Sequence, residues 1–280
     1  MKALRILLAA CVLLAGAAAQ AQVADAPGRL VKMADGRLLA PDIARIVNRG
    51  EVVVAMLDKD NPPFFSVQGG KLVGTDVEMA KRVARDLGVN VRFDRSPTTY
   101  DGVAEAVAAG RADLGISRLA RTLKRGQYVH FSNTYMRLRH ALLINRVRFA
   151  ALSGNKQPDE VIRNFRGKLG VLGKSSWVEF SARNFPHAQV TVFDSWEQAV
   201  AAAKRGDVDA AYRDELEVQQ IVRKEPGLAL SLRTVTFEDL ESPLAMMVGI
   251  GDPTLLSFVN EVIAQWGDKP TVDSVLKAMR

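Results

Sequence analysis

The stretch from Thr75 to Asp94, TDVEMAKRVARDLGVNVRFD, decides the fold class. Ala80, Val83, Ala84 and Leu87 fall at i, i+3, i+4 and i+7, the apolar stripe of an amphipathic helix. Thr75-Asp76-Val77-Glu78 has the form of a capping box at its start, and Gly88 supplies its stop. Val91 to Asp94 then reads as a short strand. Upstream, Pro41 to Arg49 reads as a helix ended by Gly50, and Glu51 to Leu57 as a strand. Downstream come a helix from Gly102 to Ala109 and a strand from Ala112 to Ser117. Strands alternating with short helices imply β-α-β units and parallel sheet.

The alternation recurs later in the chain. Lys168–Leu172 and Gln189–Phe193 read as strands around a helix from Ser176 to Phe185. Ser195-Trp196-Glu197-Gln198 is a second capping box, and its helix ends at Gly206 before a strand from Val208 to Tyr212. The phrase Ala106 to Asp113 is echoed by Ala199 to Asp209: a small-residue helix, a glycine, and three residues on an aspartate. Two similar α/β lobes are expected. In open parallel sheets, ligand groups come from loops at the carboxyl ends of strands. Those loops are Asp58–Pro63, Ser96–Tyr100, Arg118–Gly126, Gly173–Ser176 and Arg213-Asp214, and they should face one another across a crevice.

Composition excludes several alternatives. The chain has 280 residues, 48% of them hydrophobic and 25% charged, which is globular composition. Cys11 is the only cysteine, and His130, His140 and His187 lack metalloprotease spacing. No metal and no cofactor is expected. Lys2 and Arg5 precede an apolar run from Ile6 to Ala19, 14 residues against the roughly 20 that span a bilayer. Ala19-Gln20-Ala21 completes the pattern of a secretory signal peptide, 1–21, cleaved after Ala21. A lipoprotein cut before Cys11 would leave too short an apolar region. The formal charge of +7 falls by two on removal of that segment. No basic run alternates with aromatics, so no nucleic-acid partner is expected. Residues 22–40 read as a loose polar arm.

The loop phrases carry a resemblance. Arg49-Gly50-Glu51-Val52-Val53-Val54, Pro62-Pro63-Phe64-Phe65, Gly74 to Ala80, Leu87-Gly88-Val89, Gly110 to Leu114, Arg125 with Val129-His130-Phe131-Ser132, and Asp207 to Ala210 occur in the order seen in one family. The chain resembles the extracytoplasmic, family 3 solute-binding proteins of amino-acid ABC importers from about residue 41 to its end. The resemblance implies an α/β, two-lobed, type II periplasmic-binding-protein fold with mostly parallel sheets and a ligand cleft between lobes. Lobe 1 would comprise 50–136 plus 243–280 and lobe 2 141–237, after an N-terminal arm and short helix, 22–49. It also implies a periplasmic monomer that binds an amino-acid-like ligand and delivers it to the membrane permease of an ABC importer.

The resemblance further implies roles for particular residues. Arg125 stands where the family grips the ligand α-carboxylate, for which a guanidinium offers a matching fork of donors. Without the resemblance it reads as a surface arginine. Asp214 stands at the acid that accepts from the α-ammonium, and equally fits a helix N-cap. Ser175 and Ser176 open a helix whose free N–H groups suit a carboxylate, or simply cap it. Tyr100 is placed to stack on the ligand, Phe64 to stack or to lie in the core, and Asp58 to reach a distal polar group. Arg118 belongs to a basic loop with Arg121, Lys124 and Arg125, which argues against a basic ligand. Ala120 replaces a usual hydroxyl residue, Lys124 a usual acid, and Asn61 a second stacking aromatic. A dehydratase on the same fold, with Glu179 as its nearest acid, and a small-ligand sensor remain as alternatives.

Overall fold

The structure, a computed structural model, describes residues 30–267 together with Thr271 and Val275. The expected signal peptide and the first part of the expected arm lie outside these residues. The chain divides into two compact units, 1–41 and 42–280. In the first, Val31–Lys32 (β1) pairs antiparallel with Leu38–Leu39 (β2). Asp35 accepts from Arg37 Nε at 2.7 Å within that turn. The arm therefore contains a hairpin.

α1 (Pro41–Arg49) opens at the boundary, and the second unit goes on with β3 (Glu51–Ala55), the small hairpin β4 (Ser66–Gln68) and β5 (Lys71–Val73), α2 (Thr75–Leu87), β6 (Asn90–Asp94), α3 (Tyr100–Ala108), β7 (Leu114–Gly115) and β8 (Val129–Phe131). The long β9 (Met136–Asn145) leads to α4 (Arg146–Ser153), α5 (Pro158–Arg163), β10 (Lys168–Leu172), α6 (Ser176–Asn184), β11 (Gln189–Phe193), α7 (Trp196–Arg205), β12 (Ala210–Asp214) and α8 (Glu215–Lys224). Then come β13 (Leu232–Leu244), β14 (Met247–Gly249) and α9 (Pro253–Ala264).

Two five-stranded sheets result, ordered β6-β3-β7-β14-β8 and β11-β10-β12-β9-β13. The strands of the β-α-β units pair parallel, as the alternation predicts: β3 with β6 and β7, and β10 with β11 and β12. The remaining pairings are antiparallel, so both sheets are mixed. The reason lies in the long connections. β14 returns to the first sheet from far along the chain, and β9 and β13 run in opposite directions beside each other. Met136–His140 and Glu238–Ser242 lie within these two strands. Only a register shift between Thr236 and Glu241 interrupts the pairing.

Each sheet builds its own core. Val52, Val54, Val83, Val103, Leu114, Met247 and Val259 are buried around the first sheet. Ala141, Leu143, Trp196, Ala199, Val200, Val208 and Val218 form a cluster on the second. Burying each large aliphatic side chain is worth roughly 1.5–3 kcal/mol. The echoed phrase has one structural meaning in both places. Asp113 Oδ2 accepts from Val53 N at 2.8 Å, and Asp209 Oδ2 accepts from Lys168 N at 2.7 Å. Each aspartate pins the backbone of the neighbouring parallel strand, at the middle of β3 and at the first residue of β10.

One expected cap is absent. Thr75 is the first helical residue, no side chain caps the N-terminus of α2, and Thr75 Oγ1 is buried without a hydrogen-bond partner. Backbone carbonyls take over: Thr75 N donates to Pro63 O at 3.1 Å and Asp76 N to Phe64 O at 3.0 Å. That approach requires Gly74, at φ 131°, because a Cβ there would lie 2.2 Å from the Phe64 carbonyl oxygen. At α7 the box is present, with Ser195 Oγ accepting from Gln198 N at 3.2 Å.

Candidate functional site

Between the two sheets, loops following strands of both enclose a cavity of about 20 Å³, room for roughly one water molecule. It is lined by Tyr100, Arg118, Ala120 and Arg125 from the first side and by Ser175, Ser176 and Asp214 from the second. Seven of the ten residues singled out in the sequence therefore meet there. Asp58, Asn61 and Phe64 do not line it. Asp58 is exposed, and its carbonyl accepts from Arg95 instead. Phe64 is fully buried beneath the Arg118 guanidinium, whose Cζ lies 5.1 Å from its ring centroid. Asn61 acts through its neighbours, accepting from Arg118 Nη1 at 3.1 Å and donating to Glu217 Oε1 at 2.8 Å.

Arg125 begins a short turn of helix and is 1% exposed, not a surface arginine. Its Nε and Nη2 donate to Asp101 Oδ1 at 3.0 and 2.8 Å, and its Nη1 to Ala120 O at 3.0 Å. Two of its five N–H groups remain for the cavity. Burial opposes ionisation of Asp101, but Arg125 and Lys124 outweigh it and hold the carboxyl below its ordinary range. Ala120 thus contributes a backbone carbonyl rather than a side chain. The acid that sequence reading missed beside Arg125 is supplied by α3 rather than by position 124.

Arg118 has φ 52°, a left-handed conformation uncommon for a side chain of this size. Its N–H donates to Asp76 Oδ2 at 2.6 Å, and Tyr135 Oη donates to Asp76 Oδ1 at 3.1 Å. Burial pushes the Asp76 carboxyl up to about 7, despite those two donors. So held, the Arg118 side chain crosses to the second side, where Nη2 donates to Asp214 Oδ2 at 2.8 Å and Nη1 lies 3.1 Å from Glu217 Oε1. Asp214 also caps α8, accepting from Glu217 N at 3.2 Å. Both readings of Asp214 therefore hold in part: it is an N-cap and it faces the cavity, but Arg118 already engages it. Burial raises the Asp214 carboxyl. Burial also works on Glu217, but Arg213 and Arg118 outweigh it there and hold that carboxyl at about 2.

Arg213 and Glu217 are functional candidates that sequence reading passed over. Arg213 lines the cavity, donates from Nη2 to Tyr100 Oη at 3.1 Å, and lies over the rings of Tyr100 and Trp196 at 5.9 and 5.3 Å. Tyr100 is thus already stacked by a protein cation. Two signals were available: an arginine inside the apolar strand Ala210-Ala211-Tyr212, and an acid three residues after Asp214, the capping-box position. Ser175 accepts from Trp177 N at 3.3 Å and donates to Leu172 O at 2.6 Å, so its hydroxyl serves the helix start. Ser176, beside it, lines the cavity at the N-terminus of α6.

Further contacts close the two sides on each other. Glu179 accepts from the N–H groups of Leu123 and Lys124 at 2.9 and 3.1 Å, and Asp101 N donates to Lys174 O at 3.1 Å. Lys59 and Glu197 pair at 2.7 Å on the exposed rim. Behind the site, His140 on β9 lies between Trp177, Phe180 and Tyr212, and Nε2 lies 2.7 Å from Ser242 Oγ on β13. Burial drives its imidazole down to about 3. Among the described residues no group of His, Cys, Asp and Glu is arranged to hold a metal ion, and no helix is long and apolar enough to cross a membrane.

Known proteins share this fold. The family model of the bacterial extracellular solute-binding proteins, family 3, matches residues 53–278. The L-cystine-binding protein TcyJ of Escherichia coli is 28% identical over 233 residues, covering 82% of this chain and 83% of that protein. The arginine-binding periplasmic protein of Mannheimia haemolytica is 22% identical, covering 62% of this chain and 68% of that one. Among solved structures, an ancestral amino acid-binding protein, a precursor of cyclohexadienyl dehydratase, is 26% identical with a TM-score of 0.63, over 84% of this chain and 96% of its own.

Proposed function

Because the chain belongs to the bacterial extracellular solute-binding proteins, family 3, we propose that it captures a small amino acid or related carboxylate outside the cytoplasmic membrane and delivers it to the permease of an ABC importer. The observation that carries this reading is Arg125. Its buried guanidinium is clamped by Asp101 and Ala120 O, with two N–H groups left towards a cavity that both sides line. A desolvated, pre-oriented fork of donors is what recognition of a carboxylate requires. Ser176, at the start of α6, lines the same cavity from the opposite side.

The cavity is too small for an amino acid, so binding entails parting of the sides and reclosure around the ligand. In this reading the lobes divide as 50–136 with 243–280 and 141–237. They move about β9 and β13 near the register shift, where pairing is already interrupted. Ligand groups supplied by both lobes give the closed arrangement the higher affinity, which is what drives closure. A binder is favoured over an enzyme by two supports. The relatives named above are binding proteins, and Glu179, the nearest acid for the dehydratase alternative, is engaged by backbone N–H groups outside the cavity. A thermal-shift screen of amino acids and carboxylates, with product analysis of each mixture, tests the reading. Stabilisation without turnover is expected; turnover of any stabilising compound would assign an enzyme instead.

A further inference from the structure

Three guanidiniums converge on the cavity, those of Arg125, Arg118 and Arg213, and their commitments differ. Arg118 is paired with Asp214 and Glu217, so the two acids it reaches across the cleft already have a cation. Glu217 is also bonded by Asn61. Arg213 shares the charge of these acids but donates no hydrogen bond to either. Its Nε lies 3.7 Å from Asp214 Oδ2 and its Nη2 lies 3.7 Å from Glu217 Oε1, beyond hydrogen-bond length. Nε is buried with no hydrogen-bond partner, and the residue is 3% exposed. Tyr100 Oη is its one neutral acceptor, at 3.1 Å. The rings of Tyr100 and Trp196 hold the guanidinium in place but cannot take its N–H groups.

A buried cation with an orphaned donor is costly unless an acceptor reaches it. The spare capacity of this cavity therefore consists of donors: the two N–H groups of Arg125 and those of Arg213. A cationic ligand side chain would find the acids around the cavity engaged by Arg118 and Arg213, whereas an anionic group would supply the acceptor that Arg213 Nε lacks. We propose that Arg213 is a second anion seat, so that the ligand carries two acidic groups, one for Arg125 and one for Arg213: an acidic amino acid or a dicarboxylate. The inference rests on the amino-acid-binding reading of the same cleft and names its substrate class.

Titration calorimetry of the full protein with L-glutamate, L-aspartate, glutarate, L-glutamine and L-lysine tests it. Glutamate or aspartate, or glutarate if the ammonium is dispensable, should bind at least about tenfold more tightly than glutamine, with lysine weakest. Comparing glutamate with glutarate separates the two sources of the second carboxylate. Arg213→Met should weaken the acidic ligand by about tenfold or more, and by a clearly larger factor than it weakens glutamine. Thermal unfolding checks the variant's fold, and Arg213→Lys, which keeps the charge but not the fork, should give an intermediate loss. Preference for glutamine or lysine, or an Arg213→Met variant that binds the diacid as the wild type does, would overturn the seat and leave the amino-acid reading standing. Failure of amino acids as a class, in the broader thermal-shift screen, would overturn that reading and this inference together.

Discussion

Replacing Arg118 by Ser should open the cleft. The side chain makes two ionic contacts across it, to Asp214 at 2.8 Å and Glu217 at 3.1 Å. Hydrogen bonds to charged groups are worth about 1.5–3 kcal/mol each, so the closed arrangement loses about 3–6 kcal/mol of attraction. Arg118→Ser also leaves two buried acids with only Arg213 nearby, at 3.7 Å from each. Both acids regain water if the lobes part, so this penalty falls on the closed arrangement alone. The remaining cross-cleft contacts oppose opening more weakly: those at Glu179, Asp101 N, Asn61 and Tyr100 involve one charge each at most, and the Lys59–Glu197 pair is exposed and screened by water. Even the lower figure of about 3 kcal/mol moves a closed-to-open equilibrium more than a hundredfold. Small-angle scattering without ligand should therefore show a larger radius of gyration for Arg118→Ser than for the wild type. An unchanged radius, in a variant whose thermal unfolding shows it folded, would refute the reasoning that Arg118 holds the lobes together.

Other outcomes follow from the same geometry. Asp76 is a carboxyl raised from 3.8 to about 7, so the folded protein holds a proton that the unfolded chain gives up, and this group's contribution to stability falls as pH rises from about 4 to about 7. His140, lowered from 6.5 to about 3, contributes a stability that falls as pH drops through that window, so the two slopes oppose each other. In Asp76→Asn only the His140 slope of this pair remains. Urea unfolding should show the variant gaining about 2–3 kcal/mol more than the wild type between pH 4.5 and 6.5. Equal gains would show that Asp76 ionises normally. Gly74→Ala forces a Cβ into the Phe64 carbonyl at 2.2 Å and should lower stability by at least about 2 kcal/mol, read from the denaturation midpoint. Glu179→Ala frees the N–H groups of Leu123 and Lys124, so ligand affinity should fall through faster dissociation, measured by stopped flow.

Much of this architecture is legible in the sequence because its signals are local. The stripe of α2, the caps at Ser195 and Asp214, and the αL stops at Gly88 and Gly206 each depend on residues within about two helical turns. The antiparallel strands are not local: β14 joins β7 and β8 from more than a hundred residues away, and nothing in Met247–Gly249 records its partner. Thr75 misled for a related reason, since the carbonyls that replace its capping role belong to Pro63 and Phe64. Arg125 was legible by its place among the loop phrases, but its clamp, Asp101, lies 24 residues earlier. Arg213 and Glu217 were missed because an arginine closing an apolar strand and an acid at a capping-box position announce local structure, and only Arg118 crossing the cleft joins them to a site. A cluster of ions from three loops has no periodicity to announce it.

The central claim is that Arg125, clamped by Asp101, receives the carboxylate of an amino-acid-like ligand in a cleft that closes around it. Titration calorimetry of the wild type and of Arg125→Ala, using the best compound from the thermal-shift screen, tests this most directly. Micromolar affinity, about −8 kcal/mol, is predicted for the wild type, tight enough for capture and weak enough for release. Arg125→Ala should show no measurable heat of binding while still unfolding cooperatively, because Asp101 retains Lys124 at 3.0 Å. Binding by Arg125→Ala at wild-type affinity would contradict the account.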